Sequence, residues 1–376
     1  MTIQVVTKFQ ISFSRSKTNK SLGEIMDITD KATKVRQGEA LDAKAVEVFL
    51  KDNIKGLEGT LDIWQFPSGF SNLTYMIRVG ERELVLRRPP FGTKAKTAHD
   101  MSREYRILSA LHPVFPYAPK PFVYSEDPSI MGCPFYVMER IQGIILRKDL
   151  PEGMKMSSGD ARRLCENLID LHFELHSIDY REVGLGDFGK PEGYVKRQVE
   201  GWSRRYLAAK TEDAPDFDRV MAWLDKTMPP ESARPSIIHN DYKLDNLVLD
   251  PENPLRIIGV LDWEMATIGD PLMDLGSSLA YWVQKDDPEA FQSIRLMPTN
   301  IPGALIREEL VSRYAEQSGI SIDNFDFYFC FGLFRLAVIA QQIYYRYFHA
   351  ETRDKRFKTL ISAVQNLEKT AIRVIS

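Results

Sequence analysis

Cysteine is scarce in this chain: Cys133, Cys165 and Cys330 are spread over 376 positions. An odd, widely separated set offers neither a disulfide framework nor zinc spacing. A reducing compartment is therefore the default, with each thiol expected as a small buried apolar side chain. An excess of one charge is also missing. Forty-nine Lys and Arg stand against 52 Asp and Glu, for a net charge of −3. That balance excludes the broad basic footprint of a nucleic-acid binder. No uncharged run approaches the ~20 residues of a bilayer span. The most apolar stretch, 325–348, is broken by Asp326, Arg335 and Arg346 and reads as a buried helix. Acids are absent from the first 23 residues, which carry Lys8, Arg15, Lys17 and Lys20. A transit peptide has this composition, and so has an unstructured leader. Residues 1–40 are expected to be a mobile tail on a cytoplasmic protein, with organellar targeting left open.

Hydrophobic residues make up 44% of the chain, enough for a sizeable core divided between two lobes. A helical period runs from Leu41 to Ile54. The period then falls to two, and 60–66, 71–79 and 83–88 read as strands separated by turns. A helix over 98–111, stopped by His112-Pro113, and a strand over 135–138 complete a small α+β lobe, 41–140. Residues 141–376 turn mainly helical, at 157–177, 191–209, 215–227, 304–318, 325–349 and 353–374. One short β-rich insert, 236–263, interrupts them, with a turn at 251–254. The cleft between two such lobes is a common place for a ligand.

The densest chemical signal is Ile237-Ile238-His239-Asn240-Asp241-Tyr242-Lys243-Leu244-Asp245-Asn246, an apolar strand running into a polar loop. Asp262 follows at the end of a second apolar strand, 257–261. Phosphoryl transfer needs a carboxylate to orient a hydroxyl and accept its proton. It also needs hard oxygens to hold Mg2+ and a cation beside the transferring group. Asp241 supplies the base, Asn246 and Asp262 the metal ligands, and Lys243 a γ-phosphate contact. In a hairpin, Asn246 and Asp262 sit at the same end of paired strands and reach one ion. His239 reads as a structural residue holding the loop, and Asp245 as a solvated loop acid. Asp274 reads first as an N-terminal charge on the helix after Asp270-Pro271. In the first lobe, Ser68, Gly69, Ser71 and Asn72 lie in a turn between strands, where backbone N–H groups approach phosphates.

The Asp241-to-Asn246 spacing, followed by Asp262-Trp263-Glu264 and Gly269-Asp270-Pro271 with Asp274-Leu275, resembles the aminoglycoside phosphotransferase and choline kinase-like superfamily. It resembles most the branch related to the kinase-like domain of acyl-CoA dehydrogenase fusions, over roughly residues 41 to 350. The resemblance implies a bilobal, protein-kinase-like α+β fold and a kinase using ATP or GTP with Mg2+. It places Arg87 of Leu84-Val85-Leu86-Arg87 where protein kinases carry lysine, with Lys94 and Lys96 as possible substitutes. It makes Glu104 the helix partner of that cation, and sets the purine edge against the backbone of Glu139 and Arg140. Asp274 would brace the catalytic loop from below.

The expected partners are a nucleotide and a small-molecule acceptor, with no nucleic acid and no membrane span; a homodimer is left open. A basic, aromatic run, Lys196-Arg197 through Trp202-Ser203-Arg204-Arg205-Tyr206, favours an anionic acceptor if it lines the cleft, such as a hydroxy acid or hydroxyacyl-CoA. Arginine at position 87 motivates a second reading, a nucleotide-binding regulatory module without turnover. A protein kinase is disfavoured by Asp-Trp-Glu and by the lack of a following Ala-Pro-Glu.

Overall fold

The computed structural model describes residues 29–67, 72–91, 100–320, 322 and 324–376. Ser68, Gly69, Ser71, Lys94 and Lys96 lie outside the described residues, as do positions 1–28. The period-two segment folds as antiparallel strands β1 (Leu61–Gln65), β2 (Leu73–Val79) and β3 (Arg82–Arg88). Helix α1 (Ala43–Asn53) precedes them, and α2 (Met101–Leu111), β4 (Pro121–Ser125), α3 (Pro128–Met131) and β5 (Phe135–Glu139) follow. The sheet order is β1-β2-β3-β5-β4. Alternation sorts the faces: Leu84 and Leu86 of β3 join Val46 and Leu50 of α1 in one core, while Val85 and Tyr136 join the second lobe's core. Arg87, on the same face as Val85, therefore points toward α2 and the second lobe. Strand β4 and helix α3 were not foreseen. β4 is an edge strand that opens on proline and is only partly buried for most of its length, so its hydrophobic pattern is weak.

The second lobe is helical: α4 (Ser158–His176), α5 (Tyr194–Ala209), α6 (Asp218–Lys226), α7 (Pro271–Ala280), α8 (Glu289–Gln292), α9 (Arg307–Ser318), α10 (Phe325–Phe348) and α11 (Leu360–Val374). Two small antiparallel pairs interrupt it. β6 (Ser236–Ile238) pairs with β9 (Thr267–Gly269), and β7 (Leu247–Leu249) pairs with β8 (Ile257–Val260). Among the described residues, α10 is the one helix long and apolar enough to cross a bilayer, and it is instead packed inside the lobe against α7, α11 and α5.

The α7–α10 crossing is close because glycine meets glycine. A Cβ on Gly332 would lie 2.2 Å from the Gly276 carbonyl oxygen, and one on Gly276 would lie 2.2 Å from the Tyr328 carbonyl oxygen. This contact sets the height of α10, and so places Arg335, one turn after Gly332, beside the loop that follows β6.

Helix α7 also carries the floor of that loop. Asp270 is its N-cap, accepting from Leu272 N at 2.8 Å. Asp274, one turn further and fully buried, is turned instead to the loop backbone. Its Oδ2 accepts from His239 N and its Oδ1 from Asn240 N, both at 2.7 Å. On α4, His172 and His176 each bring Nε2 to 3.1 Å from Asp274 Oδ2. Both imidazoles must then carry the proton on Nε2. Tyr314 OH donates to His176 Nδ1 at 2.7 Å, and His172 Nδ1 is left as a buried lone pair without a partner among the described residues. Burial, reinforced by the His176 neighbour, pushes the His172 pKa down to about 4. Burial pushes the Asp274 carboxyl up, but the two imidazole hydrogen bonds outweigh it and hold that group well below its ordinary value.

Two consequences are measurable. Gly332→Ala should cost about 1–3 kcal/mol or more of unfolding free energy, because a methyl group would overlap backbone rather than a movable side chain. Urea unfolding unchanged from wild type would show that the helices part freely. His172 gives a pH effect. Its folded pKa, about 4, lies below its unfolded value near 6.5, so the unfolded chain takes up the proton first. The associated stability is present above 6.5 and is lost as pH falls from 6.5 toward 4, by roughly 3 kcal/mol at most. Glu104, pushed up to about 7 by burial, titrates in the opposite sense between 4.5 and 7. The informative quantity is therefore wild type minus His172→Gln across this window. Parallel pH profiles would sink the assignment of a neutral, braced His172.

Candidate active site

Buried Ile237 and Ile238 anchor one end of the 239–246 loop, and β7 anchors the other. Leu247 pairs with Val260, and Leu261 N donates to Asn246 O at 2.8 Å. The structure thereby places Asn246 and Asp262 side by side at one end of the hairpin. His239 ties the two loops together: Asp241 N donates to its Nδ1 at 3.3 Å, and its Nε2 donates to Leu261 O at 3.0 Å. Both loops hold a non-glycine residue in the left-handed region, Asn240 (φ 63°) and Asp262 (φ 68°). Such backbone costs roughly 1–2 kcal/mol per residue and persists only where its surroundings fix it. Here the fixing bonds are those of His239 and Asp274, with Arg335 Nη2 donating to Asn240 O at 2.7 Å.

Asp241 stands at the centre. Its Oδ2 accepts from Asn246 Nδ2 at 2.9 Å and lies 3.1 Å from Lys243 Nζ. Because Asn246 Nδ2 also donates to Asp241 O at 2.8 Å, its amide orientation is set, and Asn246 Oδ1 is left without a protein donor among the described residues. Lys243 lies 3.7 Å from Asp245 and 4.5 Å from the Tyr281 ring centre. Burial pushes its ammonium down, but Tyr281, Asp241 and Asp245 more than offset this and raise it. Asp245 is not the solvated acid that the sequence suggested. It is largely covered, and burial raises its pKa.

Of the residues expected on the nucleotide side, Arg87, Glu104 and Asn72 converge on the Asp262–Glu264 loop. Arg87, 6% exposed, bonds Glu104 through Nη1 and reaches Asp262 Oδ1 at 3.0 Å and Glu264 Oε2 at 3.3 Å through Nη2. Burial acts to lower the Arg87 pKa, and the facing carboxylates outweigh it. Burial pushes the Asp262 carboxyl up, and Arg87 brings it below its ordinary value; Asp262 Oδ2 has no protein donor among the described residues. Asn72 donates to Glu264 Oε2 at 2.7 Å, joining the start of β2 to the Asp262 loop. At the inter-lobe strand, Glu139 N donates to Lys120 O at 2.8 Å. The Arg140 side chain is bonded to Glu83 and to Asp30 O.

The basic run on α5 splits. Lys196 and Arg204 extend into solvent near Glu200, and Arg197 bonds the carbonyls of Lys190 and Glu192. Arg205 alone leans on Trp202, 4.6 Å from its ring centre. Sequence reasoning passed over five contributors. Glu264 stood inside the Asp-Trp-Glu run. His172 and His176 have the i, i+4 spacing of one helix face. Arg335 was seen only as a charge interrupting an apolar helix. Tyr281 carried no local signal.

Comparison with known proteins bears on the family and the fold. A family model described as the phosphotransferase enzyme family matches residues 62–296. Acyl-CoA dehydrogenase family member 11 of Rattus norvegicus is 33% identical over 357 residues, covering 93% of this chain and 45% of that protein. Family member 10 of Mus musculus is 37% identical over 321 residues, covering 83% and 29% respectively. The chain thus spans less than half the length of these curated relatives. A Ralstonia eutropha crystal structure, provisionally assigned as an aminoglycoside phosphotransferase, aligns with a TM-score of 0.74 at 30% identity, covering 89% of this chain and 99% of that one. The GDP complex of aminoglycoside 2'-phosphotransferase-IIIa, at 15% identity and a TM-score of 0.56 over 88% and 99%, shares the fold. The bilobal, kinase-like α+β architecture is common to all of these structures, and by the family match and the relatives above 30% identity this chain belongs to the phosphotransferase enzyme family.

Proposed function

We propose that the chain is a small-molecule kinase that transfers the γ-phosphate of ATP or GTP to a hydroxyl group. One observation carries this reading: Asp241, Asn246 and Asp262 meet at one hairpin end, with Asn246 Oδ1 and Asp262 Oδ2 both lacking protein donors among the described residues. An amide oxygen beside a carboxylate oxygen is the hard donor set that Mg2+ prefers. These two residues would hold the ion, which when bound offsets charge on the phosphates. Asp241 Oδ1, with no hydrogen bond among the described residues, is left to take the acceptor's hydroxyl proton, while Asn246 and Lys243 hold Oδ2. The Lys243 ammonium supplies positive charge next to the transferring group.

On the nucleotide side, Arg87 paired with Glu104 serves as the strand cation and orients Asp262. Asn72, bonded to Glu264, lies on the phosphate side, and the backbone at Glu139 and Arg140 takes the purine. The GDP found in the shared fold supports a purine nucleotide co-substrate. The acceptor is an anionic hydroxy acid or a hydroxyacyl-CoA, in keeping with Arg205 on α5 and with the acyl-CoA dehydrogenase relatives. One observation favours the alternative of a regulatory nucleotide-binding module: three carboxyl groups already occupy the Arg87 fork. Mg2+-dependent ATP binding without transfer to a broad panel of hydroxylated metabolites would select that alternative.

Asp241→Asn should lower the transfer rate by on the order of 100- to 10,000-fold, through loss of the base, while nucleotide binding is largely kept. Loss of both together would remove Asp241 from this role. Asp262→Asn should weaken Mg2+–nucleotide binding and raise the Mg2+ concentration needed for half-maximal transfer; an unaltered metal requirement would contradict its assignment.

A further inference from the structure

Arg335 is 3% exposed, and no carboxylate among the described residues lies within ion-pair distance of it. Its Nη2 donates to Asn240 O at 2.7 Å and touches Met265 Sδ at 3.5 Å. Nε and Nη1 have no hydrogen-bond partner among the described residues, and neither belongs to the polar atoms sealed from solvent. Its guanidinium carbon lies 5.3 Å from the Trp202 ring centre, and that of Arg205 lies 4.6 Å from the same ring. Arg205 likewise has no carboxylate partner among the described residues. Burial lowers its pKa, and the Arg204 and Arg335 charges lower it further. Like charges have therefore been brought together on one indole with no carboxylate counter-ion among the described residues. For the buried Arg335 this is unusual, because buried cations in folded proteins are ordinarily paired.

The position is specific. The Asn240 carbonyl that Arg335 holds belongs to the peptide joining Asn240 to Asp241. Tyr281 lies within electrostatic reach of Lys243, Asp241 and Arg335 together. Asn246 and Asp262 mark the nucleotide side of Asp241, whereas Arg335 approaches from the Asn240 side, on α10. Beside it, Met265 is 37% exposed and offers an apolar edge.

We propose that Arg335 and Arg205, both stacked on Trp202, form the anion subsite of the phosphoryl acceptor, taking a carboxylate or phosphate carried by the hydroxyl compound. The proposal rests on the phosphotransferase reading of Asp241. It adds the residues that select for charge: an arginine fork binds either oxyanion in a bidentate manner, and a neutral alcohol leaves it unmatched.

The test is calorimetric titration of the protein saturated with Mg2+ and AMP-PNP, using 3-hydroxybutyrate, glycerol 3-phosphate and the neutral 1,3-butanediol. At least one anion should bind about tenfold more tightly than the diol, equivalent to about 1.4 kcal/mol. The arm that wins distinguishes carboxylate from phosphate. Arg205→Gln and Arg335→Lys should each bring that preference to near parity while AMP-PNP affinity holds. Arg335→Lys risks loosening the Asn240 loop, so the exposed Arg205→Gln is the deciding variant. Equal binding of all three ligands by the wild type, or an anion preference surviving in Arg205→Gln, overturns the subsite. Failure to bind AMP-PNP would instead strike at the kinase reading, and the same titrations on nucleotide-free protein would still report on the arginines.

Discussion

The Asp274 carboxylate is the interaction on which the site depends. A fully buried charge is tolerable only when it is richly hydrogen-bonded, and Asp274 is met by two backbone N–H groups and two imidazoles. The backbone pair lies immediately before Asp241. The carboxylate therefore fixes the peptide planes from which the candidate base projects, including the left-handed turn at Asn240 that a free chain would avoid. His239 transmits the same constraint sideways to Leu261, and so to Asp262. The rest of the loop cannot relax without leaving four donors or a buried charge unmatched. That gives a physical reason for a rigid site on a loop.

Above this floor the two buried arginines of the site are treated in opposite ways. Arg87 faces Glu104, Asp262 and Glu264, whereas Arg335 faces a carbonyl, a thioether and an indole. A guanidinium surrounded by carboxyl groups makes a region that welcomes further positive charge, as a metal site requires. A guanidinium with no counter-ion makes a region that welcomes negative charge. The two regions flank Asp241, whose own carboxylate is tied to Lys243. The charge pattern thus runs from cation-seeking to anion-seeking across Asp241, the direction along which, on the function proposed above, a nucleotide–metal complex and an anionic alcohol would approach from opposite sides.

Much of this was legible in the sequence, because the residues concerned are local. The Asp241–Asn246 loop, the return to Asp262 and the two lobes follow from spacing and from the change in period. The helix starts drifted by a few residues; the one expected at 304 begins at Arg307, for example. What stayed hidden was either short or distant. β9 has three residues and exists only through pairing with β6, so no period marks it. Arg335 meets Asn240 across 95 positions, and Glu264 meets Arg87 across 177. Local pattern alone gave Asp274 a helix-end charge, whereas the family resemblance gave it the bracing of the loop; Asp270 fills the cap and leaves Asp274 for the loop backbone. Cys133 is only partly buried, unlike Cys165 and Cys330, because its short loop before β5 lies at the lobe's surface.

The glycines of α7 and α10 connect these features. Each costs about 1 kcal/mol relative to alanine within a helix, a loss with no local compensation. The compensation is tertiary: two helix backbones in contact have a single register, since sliding either would drive carbonyl oxygens into the neighbouring chain. α7 delivers Asp274 to the underside of the loop, and α10 delivers Arg335 to the Asn240 carbonyl. If the helices were held by larger, more compliant side chains, the two contacts could drift independently, and the Asn240–Asp241 peptide would lose its fixed orientation. The Gly276–Gly332 contact locks them as one unit. The geometry around Asp241 is therefore set by a backbone crossing in the core as much as by the polar residues that surround it.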